Sequence, residues 1–166
     1  MSAKQGFFFM EFLVVLALII IIIALAIPNL SLLTHAVLKS EVDKLTLFCY
    51  YLRQCALATN TEQKLIFNKI NNSYTIQTVT HSFSKALQFG FLPNCYGPPS
   101  QPLYKINYPI TFPHDMIRFF PDGSMSSGTI YLIDATKQNG YAITIPSAQF
   151  PHIRKYVYQD RWVLMP

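Results

Sequence analysis

Between Phe7 and Ile27 the chain runs for 21 residues with one charged side chain, Glu11. As an α-helix this stretch would be roughly 32 Å long at about 1.5 Å per residue. The hydrocarbon core of a bilayer is about 30 Å thick. A polar Met1-Ser2-Ala3-Lys4-Gln5-Gly6 precedes the run and Pro28 follows it. No later stretch is apolar for as long, so the sequence predicts one membrane span at 7–27, with the rest of the chain on one side. The mean hydropathy of +0.26 draws its excess from this run. With 51% hydrophobic and 13% charged residues, a disordered chain is excluded. With 6 Gly and 3 Cys, so are collagen-like and disulfide-scaffold compositions.

Glu11 is the demanding feature of the run. An acidic side chain deep in hydrocarbon costs on the order of 2.5–3.5 kcal/mol on insertion scales, so it needs water or a partner. Lys4 lies two helical turns away, too far for a pair within the chain. Either Glu11 sits near a membrane edge and reaches water, or a second subunit neutralises it. Cleavage after Gly6 would create such a partner, because the new amine at Phe7 is positive and could meet Glu11 of the next copy in a helical stack.

Gly6-Phe7, then Glu11, an apolar run and Pro28 resemble the N-terminal signature of type IV pilins and type II secretion pseudopilins. The resemblance implies a leader peptide of residues 1–6, cut after Gly6 by a prepilin peptidase, and methylation of the Phe7 amine. It implies that Glu11 guides subunit addition and that Pro28 weakens the stem helix. It further implies a single-pass inner-membrane protein with its C-terminal domain in the periplasm or outside the cytoplasm. Its partners would be other pilin or pseudopilin subunits, the membrane and an inner-membrane assembly platform. The competing reading is a signal peptide with Ala24-x-Ala26 as cleavage site, which would make a secreted protein or enzyme. The run exceeds the usual 7–15 residues of such a signal, and Glu11 fits it poorly.

Leu38, Val42, Leu45, Cys49, Leu52 and Ala56 recur at intervals of four and three, an amphipathic helical stripe. One helix from about Phe7 to Ala58, bent at Pro28, is therefore expected, its stripe docking on the C-terminal domain rather than forming a coiled-coil seam. Thr59-Asn60-Thr61 is a stop. Beyond it the period becomes two. Leu65 and Phe67, a turn at Asn71-Asn72, then Tyr74 and Ile76 predict a hairpin. Residues 81–115 carry six prolines and read as a long loop or edge region, with room for a strand near Tyr104–Ile110. Strands are expected at Met116–Phe120, Thr129–Ile133, Tyr141–Ile145, Ile153–Tyr158 and Trp162–Leu164, with turns at Pro121-Asp122-Gly123-Ser124 and Asn139-Gly140.

Phe119-x-Pro121-Asp122-Gly123-Ser124, followed by Ser127-Gly128-Thr129-Ile130, is similar to the body of H-type minor pseudopilins and FimT- and FimU-like minor pilins. That likeness implies a body of two packed antiparallel sheets. The expected class is α+β and pilin-like: a long N-terminal helix, membrane-spanning in its first half, packed on a C-terminal antiparallel sheet or sandwich. The divisions are 1–6 leader, 7–60 stem and 61–166 β-rich body. The expected role is a minor pseudopilin or minor type IV pilin, a structural subunit of a type II secretion or type IV pilus system.

Cys49 and Cys55 are about 9 Å apart along a helix and cannot pair with each other. Either could pair with Cys95, the alternative being three buried thiols. No catalytic arrangement, metal-ligand spacing or cofactor motif stands out, so neither enzyme activity nor a cofactor is expected. The net charge of +5 is mild. Arg154, Lys155 and Arg161 interleave with aromatic residues near the C terminus, a pattern compatible with nucleic acid. Some FimT-like minor pilins take up DNA through basic C-terminal residues, so that resemblance implies a DNA-binding minor pilin of transformation as the alternative function. Solvated charges on an amphipathic strand explain the same residues.

Overall fold

The structure, a computed structural model, describes residues 3–98, 101–148 and 152–165. Helix α1 spans Ala3–Thr59. Side chains within it are described in two short stretches, 9–24 and 36–59. The chain divides into two compact units, Met1–Val37 and Leu38–Pro166. The boundary falls inside α1.

In the first unit every described side chain from Phe9 to Ala24 is exposed. The second unit holds the end of α1 and nine strands. These are β1 (Gln63–Asn68), β2 (Ser73–Ile76), β3 (Val79–Ser82), β4 (Leu87–Phe89), β5 (Met116–Phe119), β6 (Gly128–Asp134), β7 (Gly140–Ile145), β8 (Arg154–Gln159) and β9 (Arg161–Leu164). They form two antiparallel sheets, ordered β3-β2-β1-β5 and β4-β6-β7-β8-β9.

The helical stripe explains why these elements cohere. Leu38, Val42, Leu45, Cys49, Leu52 and Ala56 are fully buried. They share one core with Leu65, Tyr74, Ile117 and Phe119 of the first sheet and Ile130, Leu132, Tyr141 and Ile143 of the second. Covering a large apolar side chain contributes about 1.5–3 kcal/mol, so this helical segment is fixed chiefly by what lies beneath it. Its C terminus is closed by Asn60 in the left-handed region (φ 51°) and by the Thr59 hydroxyl, which donates to the Cys55 carbonyl at 2.7 Å. Arg53 Nε donates to the Gly123 carbonyl at 2.9 Å and ties the helix to the 121–124 turn. Gly123 has φ +80°, and a Cβ there would approach Leu57 to 3.3 Å. Both facts favour glycine at this place.

The expected architecture is corrected on two counts. The helix is not described as one long stem packed on the sheets: among its described side chains those that join the core begin at Leu38, and Phe9–Ala24 is exposed. Among the described residues, moreover, no helix is long and apolar enough to cross a membrane. The span at 7–27, the single-pass inner-membrane placement and the periplasmic body that followed from it are not supported.

The two sheets differ in character. β1 alternates buried and exposed residues, the mark of a sheet covered on one face. β6 and β7 are buried almost throughout. Their second face is covered by the proline-rich segment, where Leu92, Cys95 and Ile106 pack on Tyr131, Ile133, Ala142 and Tyr156. This segment leaves and rejoins the same edge of β6: Gly90 N donates to Tyr131 O, and Tyr131 N donates to Pro109 O. Pro109 needs only its carbonyl there, so an edge position suits it. The strand anticipated near Tyr104–Ile110 is absent; Lys105 and Ile110 make single bridges only. β3 and β4 were not anticipated. Asn72 explains β4, since its side chain donates to the Leu87 carbonyl and accepts from Phe89 N, joining the first hairpin to the second sheet.

The β6–β7 connection is also not the two-residue Asn139-Gly140 turn. Gly140 already pairs with Ile133, and Lys137 takes the left-handed conformation (φ 56°). The buried Asp134 carboxylate organises the loop. It accepts from Thr136 Oγ1, Gln138 N, Asn139 N and Asn139 Nδ2 at 2.7–3.1 Å. Burial alone would raise its pKa, but these four donors outweigh burial and hold it below the ordinary aspartate value. A depressed carboxylate stabilises the fold above its unfolded pKa and loses that contribution as pH falls through its folded pKa. Asp134→Ala should therefore cost about 2–3 kcal/mol in urea unfolding at pH 7. The gap between parent and variant should shrink as pH drops below about 4; a pH-independent gap would contradict this account.

Candidate functional site

Phe9–Ala24 offers the largest exposed apolar surface among the described residues. Phe12, Val14, Leu18, Ile20 and Ile22 are each at least half exposed, on all sides of the helix, and Glu11 is the one charge among them. Contiguous apolar area of this kind marks a surface that something else covers. A carboxylate within it favours a covering surface that brings a cation.

The second unit adds a smaller apolar strip of its own. Leu47, Tyr50 and Tyr51 lie on the side of α1 opposite the buried stripe and are 67%, 42% and 57% exposed. They are not singled out from sequence, although they stand three and four residues apart on one helix face. Between this strip and the β8–β9 hairpin lies an open groove of about 560 Å³, lined by Asp43, Leu47, Tyr50, Arg154 and Leu164 among others. Lys155 closes its floor by donating to Asp43 at 2.6 Å.

The remaining anticipated residues are distributed as follows. Gly6, Phe7 and Pro28 lie within α1, but their side chains fall outside the described residues. Arg154 and Arg161 stand toward opposite ends of the β8–β9 hairpin, roughly 16 Å apart along the strand. Lys155, between them, is engaged with Asp43. The three cations of the nucleic-acid reading thus do not form one patch.

The cysteines are all free thiols. Cys49 lies in the core beneath the helix, whereas Cys95 lies in the cluster on the other face of the second sheet. Alternation along β6 and β7 places that sheet between them. The bridge from Cys95 to Cys49 or Cys55 is not formed. Burial pushes the Cys49 thiol up to about 12 and the Cys95 thiol up to about 11. Both therefore stay protonated and unreactive at neutral pH. Among the described residues no group of three His, Cys, Asp or Glu side chains could hold a metal ion.

No protein-family profile, no curated protein and no solved structure matches the chain.

Unfolding the protein without reductant should expose three titratable thiols per chain. A count of one would mean that a bridge exists and would contradict the separation of the two clusters.

Proposed function

We propose that this chain is a structural subunit of a pilin-like filament, of the kind built by type IV pilus or type II secretion systems. In this reading it assembles through its N-terminal apolar helix and acts by contact, not by bond chemistry. The observation that carries the reading is the bare helix surface from Phe9 to Ala24, interrupted only by Glu11. Packing such helices side by side buries apolar area on every face, with about 1.5–3 kcal/mol gained for each large side chain covered. The outward strip of Leu47, Tyr50 and Tyr51 gives the second unit an apolar contact surface of its own.

Glu11 sets the register of the stack. Cleavage after Gly6 frees a positive amine at Phe7, four residues before Glu11. A carboxylate buried among apolar helices requires a cation close by, and the Phe7 amine of an adjacent copy meets that need. The prepilin peptidase that cuts after Gly6 is the processing partner, and subunits with the same Gly-Phe-x-x-x-Glu start are the assembly partners. The Asp122-Gly123-Ser124 turn, with its likeness to minor subunits, supports a minor rather than a principal component.

The reading makes a joint demand on processing and assembly. Intact mass should place the mature N terminus at Phe7 with an added methyl group. Glu11→Ala should leave the mature chain stable but lower its recovery in sheared filaments by about tenfold or more, as expected for losing at least roughly 1.4 kcal/mol of charge pairing. A start at Ile27, or normal incorporation of the variant, would overturn the proposal.

A further inference from the structure

A second concave site lies within the second unit, away from the helix. The proline-rich segment and the tip of the β8–β9 hairpin enclose a pocket of about 390 Å³, walled by Tyr96, Pro102, Tyr158 and Trp162, with Asp160 and Arg161 at its rim. This volume falls in the range of small-ligand sites.

The walls are held in place. Trp162 Nε1 donates to the Tyr96 carbonyl at 2.7 Å, fastening the proline-rich segment over the hairpin. Tyr158 and Trp162 are cross-strand partners. Their rings meet edge to face, with centroids 5.2 Å apart and planes at 69°. Tyr131 backs Trp162 from beneath at 5.8 Å. Tyr96 stands half exposed at the entrance. The filament contact described above uses none of these groups.

Near-perpendicular rings make a corner, not a flat platform. A flat platform suits a planar base or a sugar face, whereas a corner surrounds a compact, rounded group. Aromatic faces are electronegative and attract cations within about 6 Å. Asp160 adds a carboxylate, and among the described residues it has no ion-pair partner. Arg161 shares the rim, but it pairs in register with Gln159. Strand alternation therefore sets its side chain on the face opposite Trp162. We propose that this corner binds a quaternary or methylated ammonium group, with Tyr96, Tyr158 and Trp162 as the cage and Asp160 as the anionic rim.

Trp162 is the only tryptophan of the chain, so its fluorescence reports on the pocket directly. The full chain would be titrated with choline and with tetramethylammonium. The neutral isostere 3,3-dimethyl-1-butanol, glucose and inorganic phosphate would be run alongside. Saturable change with the two cations and none with the other three is the expected result. Tyr96→Leu keeps the carbonyl that holds Trp162. Asp160→Asn suits the left-handed backbone at that residue (φ 59°) and removes only the charge. Each variant should weaken choline binding about fivefold or more, and Arg161→Ala should not. An equal response to the neutral isostere, a response to glucose or phosphate alone, or loss on Arg161→Ala with Asp160→Asn unaffected would overturn the assignment. So would the absence of any response in the folded parent protein.

Discussion

The second unit depends on one contact: the burial of a single helical stripe, from Leu38 to Ala56, against the inner faces of both sheets. Neither sheet closes on itself. The first has β3 and β5 at its edges and the second β4 and β9. Without the helix, Leu65, Tyr74, Ile117, Ile130 and Ile143 would share no common cover. The polar ties around this core, Arg53 to Gly123 and Lys155 to Asp43, orient the helix on the sheets and add little to what burial supplies.

A second layer follows from this arrangement. Once the helix occupies one face of the β4–β9 sheet, the apolar residues on its other face still need cover. The chain meets that need locally: it leaves the edge of β6 at Gly90 and rejoins it at Pro109. Leu92, Cys95 and Ile106 are the anchors of that excursion. The Trp162–Tyr96 bond fastens it at its outer end. A segment that lacks strand periodicity is thus structural on one side. On the other it leaves an aromatic corner open to solvent.

How much of this was legible depended on the period of each stretch. The helical stripe was readable because its spacing of three and four falls on one face of a helix. β1 was readable because its buried residues alternate with more exposed ones, and β2 because its apolar Tyr74 and Ile76 stand two apart. β6 and β7 also showed, as short runs rich in β-branched and aromatic residues. β4 was not visible, because three residues carry no pattern and its position rests on hydrogen bonds from Asn72, a residue that looked like an ordinary turn former. The β6–β7 loop was misread because Asn139-Gly140 resembles a tight turn, while Asp134 five residues earlier controls the backbone. The apolar N-terminal run was legible as a surface needing cover, but apolarity alone does not say whether lipid or protein supplies that cover. The thiols failed as a pair for a topological reason: a whole sheet separates Cys49 from Cys95.

The central claim is that the apolar surface around Glu11 is covered by equivalent helices of other subunits. A photo-reactive phenylalanine analogue placed at Leu16, in the middle of that surface, tests it in the producing cell. The account predicts adducts that mass spectrometry assigns to the apolar N-terminal helix of a second copy, or of another chain beginning Gly-Phe-x-x-x-Glu after its own leader. Illumination that yields no protein adduct, or adducts only with unrelated proteins, would contradict it.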